Sequence, residues 1–137
     1  MEFRLLGPLE AVDDHGAPVA LGGPRPRALL ALLLLHRNEV VSGDRLIDGI
    51  WGDSPPASAQ NALQVHVHAL RRVLGAERIE TRPPGYVLHV GDGELDVERF
   101  ERLAAQGQAG EALALWRGPA LAGLADEPFG RVEAARL

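Results

Sequence analysis

The stretch SAQNALQVHVHALRRVLG, residues 58–75, gathers the side chains in this sequence best suited to chemistry. It holds the amides Gln60, Asn61 and Gln64, the histidines His66 and His68, and the paired Arg71 and Arg72. A metal site is the first chemistry to weigh. Helical residues advance about 100° each, so His66 and His68 diverge by about 200° and cannot share an ion. His15, His36 and His89 fall on other elements. The chain has no cysteine, which excludes thiolate zinc, disulfides and a cysteine nucleophile. GGPRPR lacks the spacing and the terminal Lys-Ser/Thr of a phosphate-binding loop. No serine sits in a GxSxG turn, and no pair of acids marks a pocket. These residues predict neither an enzyme nor a cofactor.

Amides and arginines on one helix can instead read a nucleic acid. Asn and Gln pair with adenine edges, Arg pairs with guanine or phosphate, and an apolar residue meets the thymine methyl. On a helical wheel Val67, Leu70 and Leu74 fall within about 40° of Leu63, and the four form the buried face. Asn61, Val65, His68 and Arg72 fall roughly opposite, Gln60, Gln64 and Arg71 lie on one flank, and His66 falls at the core edge. The bland alternative is a solvated face, since any surface helix has a polar outer side.

Such a helix needs elements to hold it. FRLLG and PLEAV read as short strands meeting at Gly7-Pro8, with DDHG turning into APVALGG. PRPRALLALLLLHRN is a helix opened by proline and apolar on nearly every side over residues 28–35, hence buried all round. Arg25 and Arg27 at its start are expected to stay exposed. Ser42 is an N-cap for a short helix whose stripe is Leu46, Ile47, Ile50 and Trp51. GDSPPA ends it, and Ser58 is expected to cap the long helix of residues 58–74. RIETRPPGYVLHV predicts a hairpin over residues 78–90, turning at Pro83-Pro84-Gly85. GDGE reads as a linker. Asp96 is expected to cap VERFERLAAQ, and AGEALALW follows as a helix stopped at Gly118-Pro119. ALAGLADEPF reads as irregular and GRVEAARL as the start of another helix.

Two consecutive helices with a hairpin behind them predict an α+β winged helix-turn-helix. In that fold the second helix of the pair enters the major groove and the hairpin touches the backbone. Gln60, Asn61, Gln64, Val65, His68 and Arg72 are then base-contact candidates. Arg25, Arg27, Arg71, Thr81 and Arg82 are phosphate-contact candidates.

Composition agrees only after it is divided. The net charge is −5, all 14 basic residues are Arg, and residues 23–90 carry eight Arg against six acids. Residues 91–137 carry five Arg against nine acids, and this acidic stretch is expected near the wing. Local charge, not the total, decides affinity for a polyanion. The longest apolar run, residues 28–35, is far short of the roughly 20 residues that cross a bilayer. With no secretory signal visible after Met1, the expectation is a soluble cytoplasmic protein without a membrane partner.

FRLLGPLE, LGGPRPRALLALLLLHRNEVVSGDRLIDGIWGDSPP, NALQVHVHALRRVLG and TRPPGYVL closely resemble the N-terminal domain of Streptomyces antibiotic regulatory proteins (SARPs) and of the larger AfsR-type regulators. ELDVERFERL and ALALWRGPALAGLADEPF resemble the opening of the bacterial transcriptional activation domain that follows it. The resemblance implies an OmpR-type winged helix over residues 1–91 and a partial helical activation domain over 92–137. It implies an activator of a biosynthetic, often secondary-metabolite, gene cluster. Such a protein reads promoter direct repeats on double-stranded DNA as a tandem homodimer and contacts RNA polymerase holoenzyme. Asn61, Gln64, Arg71 and Arg72 match the family's recognition helix, Thr81, Arg82 and Tyr86 its wing, and Arg27 a basic position at the start of the buried helix. Gln60, His66 and His68-Ala69 depart from the usual Arg, Tyr and Ser-Arg type pair, and AAQGQAG is shorter than the usual hairpin. The competing reading is an interaction module that keeps the fold but acts through a partner regulator or polymerase without DNA specificity of its own.

Overall fold

A computed structural model of the protein describes residues 1–117; the expected stop at Gly118-Pro119, the irregular stretch and the last helix lie outside the described residues. Strands β1 (Glu2–Arg4) and β2 (Glu10–Val12) pair antiparallel, with Phe3 opposite Ala11. APVALGG forms no strand of its own: it adds a Val12–Pro18 bridge, the Val19 N–H donating to the Ala11 carbonyl, and an exchange of bonds between Ala17 and Asp13. Helix α1 (Pro24–Leu35) follows, with every residue from Ala28 to Leu34 buried. A helix apolar on all sides has no solvent face, and this one packs against both later helices, α2 (Gly43–Trp51) and α3 (Ala59–Leu74). Its fully buried leucines, Leu29, Leu30 and Leu33 among them, each contribute about 1.5–3 kcal/mol by leaving water.

Ser42 caps α2 as its type predicts: its hydroxyl accepts from the Arg45 N–H at 3.1 Å. Ser58 does not cap α3; no side-chain bond forms there, and the Ser58 backbone is not extended as a capping residue requires. The two-residue strand β3 (Val41–Ser42) pairs with β5 (Gly85–Leu88), which pairs with β4 (Ile79–Arg82), so the order is β3-β5-β4. Gly85 is therefore a strand residue facing Ser42 and Arg82, not part of the turn.

Helices α4 (Asp96–Ala105) and α5 (Ala109–Leu113) complete the described chain. The expected helix through Trp116 ends three residues early, and Trp116 instead meets the Phe100 ring edge-on at 5.8 Å. Asp96 is not the N-cap of α4. It is 2% exposed, and its two oxygens accept from the N–H groups of Leu5 at 2.8 Å and Leu6 at 2.9 Å. The GDGE stretch is no free linker either. Leu95 is fully buried and bridges Phe3, Phe3 donates its N–H to the Glu94 carbonyl, and Glu98 pairs with Arg37. The described part of the acidic stretch thus leans on β1 through α4 and meets the wing at its root, through Glu94 and Arg78.

That Glu94–Arg78 pair is bidentate, at 2.6 and 2.7 Å. The guanidinium, helped by the Gly91 N–H and opposed by partial burial, holds the Glu94 carboxyl down at about 2. A depressed folded-state value stabilises the fold above the unfolded pKa, about 4.3, and the benefit is lost as pH falls toward 2. Glu94→Gln is expected to flatten the loss of stability between those values, read from urea midpoints along an acid titration. An unchanged slope would rule out this pair as the source.

Candidate nucleic-acid interface

Helix α3 turns Ala59, Leu63, Val67, Leu70 and Leu74 into the core. The period of 3.6 then leaves Gln60, Asn61, Gln64, Val65, His68 and Arg72 all exposed, so the six base-contact candidates share the outer surface of one rigid helix. Val65 is 64% exposed, although an aliphatic side chain gains nothing from water. Its neighbours on that face are amides, imidazole and guanidinium, all able to hydrogen-bond to base edges. His66 sits half-buried at the core edge, 6.1 Å from the Trp51 ring. Burial first, and the Arg25 charge second, push its pKa below the usual histidine value, so it is neutral at pH 7.

The phosphate-contact candidates are less uniform. Arg25 is exposed, and its guanidinium lies 5.8 Å from the centre of the Trp51 ring while donating to the Ile50 carbonyl at 2.9 Å. Trp51 thus lies next to both Arg25 and His66, and the Arg25 charge acts on His66, which sets Arg25 beside α3. Arg27 differs from expectation. It is half-buried and donates to the Leu9 carbonyl at 2.7 Å, tying the start of α1 to the N-terminal strands. Arg82 is exposed at the wing tip and paired with Glu80 at 2.7 Å. Glu80 also meets His89 Nε2 at 3.2 Å. Arg71 and Thr81, both expected at phosphate, are brought onto each other: Arg71 Nη2 donates to Thr81 Oγ1 at 2.7 Å.

Two participants escaped the sequence reading. Trp51 read as one member of a core stripe, with no signal that its ring carries Arg25. Glu80 read as a strand residue, although its alternation with Arg82 two positions on does place the two on one face of the hairpin. Among the described residues no group of three or more histidines, acids or cysteines is placed to hold a metal ion.

Residues 16–88 match the family model described as "Transcriptional regulatory protein, C terminal". The whole chain aligns with Regulatory protein AfsR of Streptomyces coelicolor at 34% identity, covering 15% of that protein. The chain belongs to the SARP-type winged-helix transcriptional regulators. A solved structure of Mycobacterium tuberculosis EmbR, in complex with a low-affinity phosphopeptide, superposes on 98% of this SARP-type chain with a TM-score of 0.85 and 35% identity. The Transcriptional regulatory protein MoaR1 of the same organism is 39% identical over 90% of the chain. The chain spans 46% of MoaR1 and 41% of the solved EmbR chain, less than half of either. What the SARP-type match does establish is an OmpR-type winged helix, an α+β fold of helices with small antiparallel sheets.

Proposed function

We propose that the chain is a sequence-specific DNA-binding regulator, without catalytic activity, that reads promoter DNA with α3 in the major groove and the β4–β5 wing on the backbone. The observation that carries this is the outer face of α3: six exposed side chains with complementary readout chemistry on one helix, held by a core that fixes its orientation. Arg25 beside α3 and Arg82 on the wing supply backbone contacts on either flank, where charge positions the protein without reading sequence. In this reading the chain activates a biosynthetic gene cluster, occupies direct repeats as a tandem homodimer, and presents the bound complex to RNA polymerase holoenzyme. It works among the soluble contents of the cytoplasm; no described helix is long and apolar enough to cross a membrane.

Binding to promoter DNA from the protein's own gene neighbourhood, against shuffled DNA at two salt concentrations, tests the reading. Selective binding that weakens with salt is expected, because phosphate contacts release counterions. Equal, weak binding to both DNAs would defeat it. Asn61→Ala is expected to lose about 1–3 kcal/mol of discrimination at one base position. A base-substitution series on the operator checks this. If every sequence weakens alike, Asn61 contacts no base edge.

A further inference from the structure

We infer that Arg71 does not hold a phosphate itself but is a positioning residue that pins the wing to the recognition helix and aims the Thr81 hydroxyl at the DNA backbone. The inference rests on the DNA-binding reading above and assigns Arg71 a role different from the one its sequence position suggests.

Three contacts place the guanidinium. Nε donates to the Ile79 carbonyl at 2.9 Å, Nη2 donates to Thr81 Oγ1 at 2.7 Å, and the group lies 6.0 Å from the centre of the Tyr86 ring. Thr81 and Tyr86 are opposite each other in the β4–β5 register, so their side chains stand on the same side of the hairpin. Arg71 reaches that side from the last turn of α3. The planar fork of an arginine can satisfy two acceptors at fixed angles at once, which a lysine ammonium on a flexible stem cannot reproduce. Because Thr81 Oγ1 accepts from Arg71, its own hydrogen is left to donate elsewhere, and Thr81 is exposed. The adjacent positive charge polarises that O–H toward an anionic acceptor. Arg71 therefore acts through Thr81, and the two count as one backbone contact rather than two.

The test is a double-mutant cycle of Arg71→Lys and Thr81→Val, with Thr81→Ser as the conservative variant. Thr81→Val is isosteric and exposed, so the fold survives it. Operator affinity is expected to fall about tenfold in each single variant, as a hydrogen bond to a charged group predicts. The double variant is expected to be no weaker than the worse single one, and Thr81→Ser is expected to retain wild-type affinity. Additive losses near a hundredfold, or Arg71→Lys binding as wild type, would overturn the inference. Amide hydrogen exchange of the wing, measured without DNA, separates this from failure of the DNA-binding reading. Arg71→Lys, which disturbs all three contacts, is expected to speed exchange in β4 and β5 more than Thr81→Val, which removes one, and the double variant no further than Arg71→Lys. If exchange behaves so but no DNA is selected, the pin stands and the proposed function falls; unchanged exchange in all variants removes the pin.

Discussion

Replacing Asp96 by Ala is expected to cost about 2–5 kcal/mol, because it strands two buried backbone donors at once. Leu5 and Leu6 are each 1% exposed, so their N–H groups have no water to turn to when the carboxylate is gone. A loss of that size is a large part of the roughly 5–15 kcal/mol by which a domain is stable. Burial drives the Asp96 pKa up from the ordinary aspartate value, against the pull of the Leu5 and Leu6 N–H groups and of Arg117. The sign matters: a raised folded-state value means the folded state holds the proton more tightly than the unfolded one. This group's contribution therefore shrinks as pH rises through and above the unfolded value, about 3.9. Asp96→Asn removes the burial penalty of the charge but keeps only one acceptor, so it should fall between wild type and Ala. Urea midpoints for the three proteins check the order, and an Ala variant as stable as wild type would refute the account.

Gly85→Ala is expected to be comparably severe for a different reason. A Cβ there would lie 1.8 Å from the Val41 carbonyl oxygen and 2.7 Å from the Ser42 Cα. Both atoms are backbone, so relief requires β3 to leave β5. The expected cost is about 3 kcal/mol or more, at the upper end of overpacking. The damage should also travel, because Ser42 is the cap of α2 and stands opposite Gly85. Thermal unfolding, with hydrogen exchange at Val41 and Tyr86, measures both effects. Gly110→Ala on α5, where a Cβ meets nothing within 4 Å, is the control and should leave stability unharmed. Equal behaviour of the two variants would show that β3 yields cheaply.

Much of this architecture can be read from local pattern. The all-round burial of α1 follows from eight consecutive apolar residues, and the outward face of α3 follows from a 3.6-residue period that leaves amides opposite leucines. What pattern could not supply is long-range pairing. An acid at the start of a helix looks locally like a cap, yet Asp96 spends its oxygens on amides some 90 residues away. Pro83-Pro84-Gly85 looks like a turn, yet Gly85 is needed for the space its missing side chain leaves to Val41. Arg71 and Thr81 each look like a phosphate contact, since spacing along a chain does not reveal that a helix end and a hairpin will meet. The departures thus cluster where two distant segments touch.

The clasp between the first strands and the start of α4 also sets an order of events in time. Leu5 N–H and its acceptor on Asp96 are 91 residues apart. On a ribosome adding roughly 5–20 residues per second, the acceptor is made on the order of 5–20 s after the donor. The short-range pairings of α1, α2 and α3, and of β4 with β5, lie entirely within that interval. Contacts of small sequence separation form sooner than distant ones. The helices and the hairpin can therefore take shape, and β1 can pair with β2, while the Leu5 and Leu6 N–H groups still await Asp96, so this clasp closes after the local contacts.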